Sequence, residues 1–246
     1  MKRAERHHLK ENEIQLLTRQ AREAVAARKR ETTAAVVAVV VIGAIALGYF
    51  GWRERVQSRA HAMLADAMVV HDARVAPVTA ELAPGSKPAP TTGTFPTEQA
   101  RAEAALVKLK ATADKYPSSD AGIYARYQQA ATLMSLGRFT EAASCYEQVV
   151  SRAGGGIYGQ MGRLGFAEAN ARAGQFDRAI NSFKELAQRK DGPLPVDGVL
   201  MQLGRTYLDA GKRAEAQQTF NRLVEEYPES QYSGEARREL DNLKKS

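Results

Sequence analysis

Apolar positions recur every three to four residues through most of this chain, which is the spacing of an amphipathic helix. In residues 9–30 they alternate with charged side chains, and the set is Leu9, Ile14, Leu17, Ala21, Ala24 and Val25. The spacing returns after residue 53 at Val56, Ala60, Met63, Ala67 and Val70. A helix there should stop at Pro77. The pattern therefore predicts a basic amphipathic segment, 1–31, and a second helix within 53–82.

The segment between these two, 32–52, is apolar on every side. It carries no charged residue from Thr32 to Trp52, and a helix of this length crosses a hydrocarbon core of about 30 Å. A cleaved signal peptide is the alternative, but 31 residues precede the run, which is itself longer than the apolar core of such peptides. No cysteine lies beside it for a lipid anchor, since the chain has only Cys145. We therefore expect one uncleaved transmembrane helix.

Basic residues around this run predict its orientation. The 20 residues before it hold five basic side chains and the 20 after it hold three: Arg19, Arg22, Arg28, Lys29 and Arg30 against Arg53, Arg55 and Arg59. Because the more basic flank stays in the cytoplasm, the N-terminus is expected there. The net charge is +7, and residues 1–31, with nine basic and five acidic side chains, supply +4 of it. No basic run interleaved with aromatic residues accompanies this charge, so we expect no nucleic-acid partner.

The remainder divides at a proline-rich stretch. Residues 83–97, "APGSKPAPTTGTFPT", hold four prolines and no acidic residue, which predicts a linker or extended loop. Beyond it, in 98–246, three segments align at a period of 37 residues: "GRFTEAASCY" from Gly137, "GQFDRAINSF" from Gly174 and "GKRAEAQQTF" from Gly211. A repeat of this length is typical of an α-solenoid.

Each aligned segment has the residues of a helix–turn–helix unit. The glycine ends one helix in a left-handed conformation, a small alanine allows close helix contact, and an aromatic residue fills the space between pairs. The alanines and aromatics are Ala142, Ala179, Ala216, Tyr146, Phe183 and Phe220. The same register places Ala105 and Leu109 on a helix of an incomplete leading unit, and Leu240 on a capping helix, "SGEARRELDNLKK".

This pattern resembles the tetratricopeptide repeat. The third unit carries the fullest set of motif residues: Leu203, Gly204, Tyr207, Gly211, Ala216, Phe220 and Pro228. The second has Phe166, Ala167 and Asn170 where leucine, glycine and tyrosine are typical, and each unit is three residues longer than usual. The resemblance implies an all-α chain: a transmembrane helix, then a solenoid of about three helix pairs with a leading helix and a C-terminal capping helix.

Six glycines in "RAGGGIYGQMGRLG", residues 152–165, raise the possibility of a cofactor loop. Gly154, Gly156 and Gly159 satisfy the G-x-G-x-x-G spacing, but that fingerprint must follow a strand, and a helical pattern precedes it here. We interpret the stretch as an inter-repeat turn, in which Gly162 and Gly165 permit close helix packing.

Signals for catalysis or metal binding are missing from the sequence. It has no G-x-S-x-G, H-E-x-x-H or P-loop pattern, and His61 and His71 are about 15 Å apart along a helix. The carboxylates Glu141, Glu147, Glu225 and Glu226 are expected on outer helix faces, and Cys145 is expected in the core. We therefore expect no enzyme activity, no cofactor, no metal site and no small-molecule substrate.

The order of segments, including a span that ends in Gly-Trp-Arg, resembles the YfgM-like ancillary subunits of the SecYEG translocon. The resemblance implies a single-pass protein of the bacterial inner membrane with a cytoplasmic N-terminus and periplasmic repeats. Implied partners are translocon subunits, a periplasmic chaperone or nascent secreted chains. One alternative is a repeat scaffold for cell-envelope assembly or cell-division coordination, although such proteins are normally exported with cleaved signals or lipid anchors. Another is an accessory of an enzyme or transporter.

The resemblance to tetratricopeptide arrays also implies a protein-binding groove. In these arrays the first helix of each pair lines a concave surface that binds the partner. When the family's groove positions are aligned with this chain by the 37-residue register, the corresponding residues are Tyr124, Tyr127, Met134, Met161, Leu164, Glu168, Arg172, Met201, Arg205 and Asp209. The three methionines can adapt to varied side chains. We expect the groove to bind a helix or extended segment with bulky apolar anchors. The alternative is that about half of these side chains pack against neighbouring helices or against residues 83–97.

Overall fold

The structure, a computed structural model of the full chain, describes residues 29–76, 93–189 and 192–245. These ranges contain nine α-helices and one pair of two-residue strands. The chain divides into two compact units, Met1–Arg55 and Val56–Ser246. The amphipathic helix predicted in residues 9–30 lies outside the described residues, apart from its last two positions.

The first helix, α1, runs from Lys29 to His71 without interruption. Its apolar part is exposed along its length, with Val39 69% and Leu47 76% accessible. An 18-residue stretch of this helix has a mean hydropathy of 2.4 and no buried residue. By length and composition α1 can therefore cross a membrane.

The helix predicted to reach Pro77 ends six residues earlier, at His71, so the transmembrane and juxtamembrane helices predicted separately are one helix. The backbone then forms a strand, β1 (Arg74–Val75), which pairs in parallel with β2 (Thr94–Phe95). The amide of Ala76 also donates to the Phe95 carbonyl at 3.0 Å. This non-local pairing takes the backbone out of the helix before the proline is reached.

The C-terminal end of the predicted linker, 83–97, is also structured. Its residues 94–95 form β2, and Thr97 is the N-cap of α2 (Glu98–Lys115), where the Thr97 hydroxyl accepts a hydrogen bond from the Ala100 amide at 3.1 Å. The guanidinium of Arg101 donates to the carbonyl of Ala73 at 3.2 Å. Residues 77–92 lie outside the described residues. The described end of this segment is thus part of the folded unit rather than a linker.

The leading repeat, predicted to be incomplete, is completed by α1. Ala60 and Ala67 of α1 are fully buried, and Ala67 belongs to one buried cluster with Ala105, Leu109 and Ala113, all of which lie on α2. This confirms the apolar face predicted for the second half of α1. Residues 56–71 therefore act as the first helix of a pair whose second helix is α2.

Three further helix pairs and a last helix follow, as the sequence predicts. They are α3 (Asp120–Ser135) with α4 (Phe139–Ala153), α5 (Ile157–Arg172) with α6 (Phe176–Ala187), α7 (Val196–Asp209) with α8 (Arg213–Glu226), and α9 (Ser233–Lys245). Leu240 of α9 is 8% exposed and belongs to the same buried cluster as Phe220 of α8. Helix α9 thus covers the apolar face of the last pair, which confirms the predicted cap.

The turns within the three pairs are built alike. Gly137, Gly174 and Gly211 have φ angles of 73°, 75° and 73°, a left-handed conformation that side chains with a β-carbon rarely adopt. In the first turn the Gly137 amide donates to Met134 at 3.1 Å and the Arg138 amide donates to Leu133 at 2.9 Å. These two bonds satisfy carbonyls at the helix end in a Schellman motif, and the same two bonds occur 37 and 74 residues later.

The core confirms the 37-residue register. Ala142, Ala179 and Ala216 are all fully buried, and the aromatic residues of the three units are between 0% and 5% exposed. The α4 side chains reach the next repeat: a β-carbon on Gly162 would come within 3.0 Å of Val149 Cγ1, and one on Gly165 within 2.5 Å of the Tyr146 ring. These glycines allow close helix packing, as predicted.

The glycine-rich stretch is a turn between helices. Helix α4 ends at Ala153, Gly154 has a φ angle of 58°, and Gly156 is the N-cap of α5. The fingerprint spacing therefore follows a helix, whereas a dinucleotide loop needs a strand before it. This confirms the interpretation of the stretch as an inter-repeat turn.

Candidate protein-binding groove

Three helices, α3, α5 and α7, carry the ten predicted groove residues. Because the repeats are in register, residues 37 apart occupy equivalent places on successive helices. Glu168 of α5 is thus equivalent to Arg205 of α7, and Arg172 to Asp209. Positions that face one surface on α3 should consequently face the same surface on α5 and α7.

The structure brings half of the predicted residues together around one opening, which we call the α5–α7 cleft. Its volume is about 340 Å³. The predicted residues that line it are Met134, Glu168, Arg172, Arg205 and Asp209. The sequence did not select the others, which are Ala171, Phe183, Gln202 and Thr206. Phe183 was predicted as a core aromatic, and it is 1% exposed, so it contributes to the base of the cleft.

Charged groups on opposite sides of the α5–α7 cleft differ in whether they have an ion-pair partner. A guanidinium nitrogen of Arg205 is paired with the carboxylate of Glu235 on the cap helix α9. Glu168 is half-buried and has no hydrogen-bond or ion-pair partner among the described residues. Burial raises the pKa of Glu168 above its usual value, and the charge of Arg172 opposes that shift. The cleft thus contains a partly desolvated carboxylate to which no described residue is directly bonded.

The two predicted tyrosines of α3 contact neighbouring helices. The rings of Tyr127 and Tyr146 pack edge-on, with their centroids 5.6 Å apart. The ring centroid of Tyr124 is likewise 5.6 Å from that of Tyr158 on α5. The Gln128 amide donates to the Tyr124 hydroxyl at 2.5 Å. Burial raises the pKa of Tyr127, and the nearby charge of Glu168 raises it further. Both rings are half-buried, so they can offer only part of their surface to a partner.

The prediction that Met201 lines the groove is wrong. Met201 is fully buried in the same cluster as Phe220 and Leu240, so its side chain is not available at the surface. Its equivalents one and two repeats earlier, Leu164 and Tyr127, are half-buried and also pack against core clusters. This register position therefore faces the seam between helices rather than the groove. Of the other predicted residues, Met134 and Met161 are half-buried.

A second, larger cleft lies between the end of α1 and helices α2 and α3. Its volume is about 730 Å³, and its lining includes His71, Glu98 and Arg101. The α3 side of this α1–α3 cleft is lined by Gln128, Ala131, Thr132 and Ser135. These positions are two periods before Gln202, Arg205, Thr206 and Asp209 of the α5–α7 cleft. The sequence prediction missed this cleft, although applying the 37-residue register twice would have found its α3 side.

In the part of the chain that the structure describes, groups that could support catalysis or metal binding are dispersed or enclosed. Within the described ranges there is no group of three or more His, Cys, Asp or Glu side chains that could hold a metal ion. Cys145 is buried, and this burial raises the pKa of its thiol despite the nearby Arg126. His61 is exposed, whereas Nδ1 of His71 is 2.8 Å from an Asp72 carboxylate oxygen. The four carboxylates predicted on outer faces, Glu141, Glu147, Glu225 and Glu226, are all exposed.

Comparisons with known proteins agree with this architecture. Two tetratricopeptide-repeat family profiles match, one over residues 123–154 and the other over residues 170–239. No curated protein matches the chain as a whole or in part. The chain therefore contains tetratricopeptide repeats, whose arrays indicate a protein–protein interaction module and typically serve as non-catalytic scaffolds.

Solved structures with similar folds are also repeat proteins. Two are nearly identical TPR-like repeats described as those of a kinesin light chain from Podosopora anserina, one of them a point variant. The variant is 17% identical with a TM-score of 0.50 and the other 16% identical with 0.51, and each match covers 58% of this chain and 77% of that one. A tetratricopeptide repeat protein from Parabacteroides merdae is 18% identical with a TM-score of 0.48, covering 58% of this chain and 54% of its own. At these identities the first two show a shared fold.

Proposed function

We propose that this protein is a membrane-anchored interaction module, and specifically an ancillary subunit of the Sec translocon in the bacterial inner membrane. In this proposal α1 is the single span, the N-terminus is cytoplasmic and the repeats are periplasmic. The observation that carries the anchoring is the exposed apolar stretch of α1, which contains no buried residue. Exposed aliphatic surface on this scale is costly in water and favourable in lipid.

The repeats supply the binding surface in this proposal. The α5–α7 cleft combines half-buried Met134 with charged side chains from two helices, and a flexible thioether beside polar groups suits polypeptide segments of varied sequence. Nascent secreted chains, a periplasmic chaperone or the periplasmic parts of translocon subunits are partners of this kind. The resemblance of the segment order to the YfgM-like subunits supports this choice over other repeat scaffolds.

Site-specific photo-crosslinking in living cells tests the proposal. A photoreactive amino acid replaces Arg172 or Asp209, which are exposed at the α5–α7 cleft. A matched control replaces Glu225, which is equally exposed but lies on α8, a second helix of a pair. We expect adducts with translocon subunits or with identified secreted chains from positions 172 and 209 but not from 225. Equal adducts from all three positions, or adducts that contain no translocon or secreted protein, would reject the proposal.

A further inference from the structure

Glu168 is the one carboxylate that lines the α5–α7 cleft from α5. Its oxygens receive no hydrogen bond from the described residues. The side chain is half-buried, no ion pair reaches it from those residues, and burial raises the pKa of its carboxyl group. A folded protein keeps a desolvated carboxylate without a partner only at a cost in free energy. A group in this state gains the most when a ligand supplies a donor.

The charges around Glu168 favour a cation over an anion. Arg205 is already paired with Glu235. Arg172 is exposed, so solvent weakens its attraction for a ligand. Asp209 adds a second carboxylate at the opposite wall. The cleft residues together with Glu235, the partner of Arg205, therefore carry three carboxylates and two guanidinium groups, which is a net negative charge. Glu168 lies at the less accessible side of the cleft.

Apolar surface beside Glu168 defines what should accompany the cation. Met134 of α3 lines the cleft on one side, and Phe183 of α6 lies beneath it. Met134 is only half-buried and packs against the cluster that contains Leu133 and Tyr146. Its outer surface is therefore free to cover an aliphatic side chain. The long methylene stem of a lysine or arginine can also pack along such a surface.

We infer that the α5–α7 cleft binds a basic side chain, lysine or arginine, carried by an extended polypeptide segment whose neighbouring apolar residue contacts Met134. The ammonium or guanidinium group donates hydrogen bonds to the Glu168 carboxylate, and a charge-assisted bond in a partly desolvated cleft is stronger than one at the open surface. The inference rests on the proposed interaction function and specifies the chemistry of the bound segment. It predicts selection of basic over acidic segments.

Binding of short defined peptides to the full-length protein in detergent micelles tests this inference. The probe is a fluorescein-labelled Ser-Gly peptide that contains Leu-Ser-Ser-Lys, and fluorescence anisotropy gives its Kd. Companion peptides replace the lysine by glutamine or by glutamate. From the usual strength of hydrogen bonds to charged groups we expect the lysine peptide to bind about tenfold more tightly than the glutamine peptide, and the glutamate peptide to bind most weakly.

Two protein variants complete the experiment. In Glu168→Gln the preference for lysine over glutamine should fall to about twofold or less, because the neutral amide retains only ordinary hydrogen bonding. The matched control is Glu225→Gln, which removes an exposed carboxylate outside the cleft and should preserve the preference. Circular dichroism confirms that both variants are folded. The inference is overturned if Glu168→Gln keeps the full preference, if the glutamate peptide binds best, or if no peptide binds.

The result of the peptide assay can be distinguished from that of the crosslinking experiment, which tests the proposed function. A lysine preference that depends on Glu168, together with no translocon or secreted-chain adducts in cells, would support the inference and reject the Sec assignment. Adducts with translocon or secreted proteins without any lysine preference would do the opposite. The peptide assay contains no translocon component, so its result depends on the cleft alone.

Discussion

The ring of Tyr146 occupies the space that a side chain on Gly165 would need. A β-carbon at position 165 would lie 2.5 Å from Cζ and 2.6 Å from Cε1 of Tyr146. The two residues belong to consecutive repeats, Tyr146 to α4 and Gly165 to α5. The pair therefore sets how closely one helix pair approaches the next.

Gly165→Ala should lower stability. Alanine favours a helix over glycine by about 1 kcal/mol, but overpacking at this contact should cost about 1–3 kcal/mol, and the rigid Tyr146 ring cannot yield cheaply. Urea denaturation measures the difference. The matched control is Gly234→Ala in α9, where no atom lies within 4 Å of the added carbon. If Gly165→Ala proves as stable as the control, the close packing of Tyr146 is wrong.

Gly211→Val should destabilise the third repeat through its turn. The φ angle of 73° at Gly211 lies in the left-handed region, where a residue with a β-carbon costs about 1–2 kcal/mol. Nothing lies within 4 Å of the added β-carbon, so the loss of stability should come from backbone conformation alone. Thermal unfolding measures it, with Gly155→Val as the control because Gly155 is equally open but has no positive φ. Equal melting temperatures of the two variants would contradict the turn geometry.

Met201→Ser and Met161→Ser should behave differently, although both residues were predicted to line the groove. Met201 is fully buried, so its truncation should cost about 2–5 kcal/mol of unfolding free energy, as for other buried methionines. Met161 is half-buried and should cost distinctly less. Urea denaturation of the two single variants makes the comparison. A loss at Met201→Ser as small as that at Met161→Ser would show that Met201 lies in an open groove after all.

Glu168→Gln should stabilise the protein at neutral pH. Because the folded pKa of Glu168 lies above the unfolded value of 4.5, the wild type loses stability as pH rises from 4.5 through that raised pKa. The charged and titratable groups around it are Tyr127, Tyr146, Arg172, Arg205 and Asp209. Glutamine cannot ionise, so the variant should melt higher than wild type at pH 7, and the gap should close below pH 4.5. A gap that widens on acidification would contradict the raised pKa.

The proposed orientation can be tested with protease. If residues 53–246 are periplasmic, protease added to spheroplasts should degrade the repeats and spare an N-terminal tag, because the more basic flank of the span stays inside. Immunoblots against both ends give the result, and lysed spheroplasts show that the tag can be cleaved. Survival of the repeats with loss of the tag would reverse the orientation.

Residues that repeat at a fixed period were predictable from the sequence. The positions of Ala142, Ala179 and Ala216 follow from local helix geometry and a 37-residue recurrence, and all three are in the core. The close packing at Gly162 and Gly165 was predictable for a different reason, since a glycine inside a helix needs a packing explanation. Periodicity predicts the alanine positions because each repeat contacts mainly its neighbours.

Features that depend on non-local contacts were not predictable. The end of α1 at His71 follows from the pairing of residues 74–75 with 94–95, which joins distant segments through backbone atoms and leaves no side-chain pattern. The burial of Met201 depends on a seam shared by several helices. The lack of a hydrogen-bond or ion-pair partner for Glu168 among the described residues likewise depends on how the helices are spaced. The last two features bear directly on which predicted groove residues can contact a partner.

The pairing of β1 with β2 also has a mechanical consequence. The strand pair and the bond from Ala76 to Phe95 join the chain directly after α1 to the chain directly before α2. A force applied to the end of α1 would reach α2 through the strand pair, the bond from Arg101 to Ala73 and the apolar contact beneath them. The separation between the end of α1 and α2 is therefore set by these described contacts.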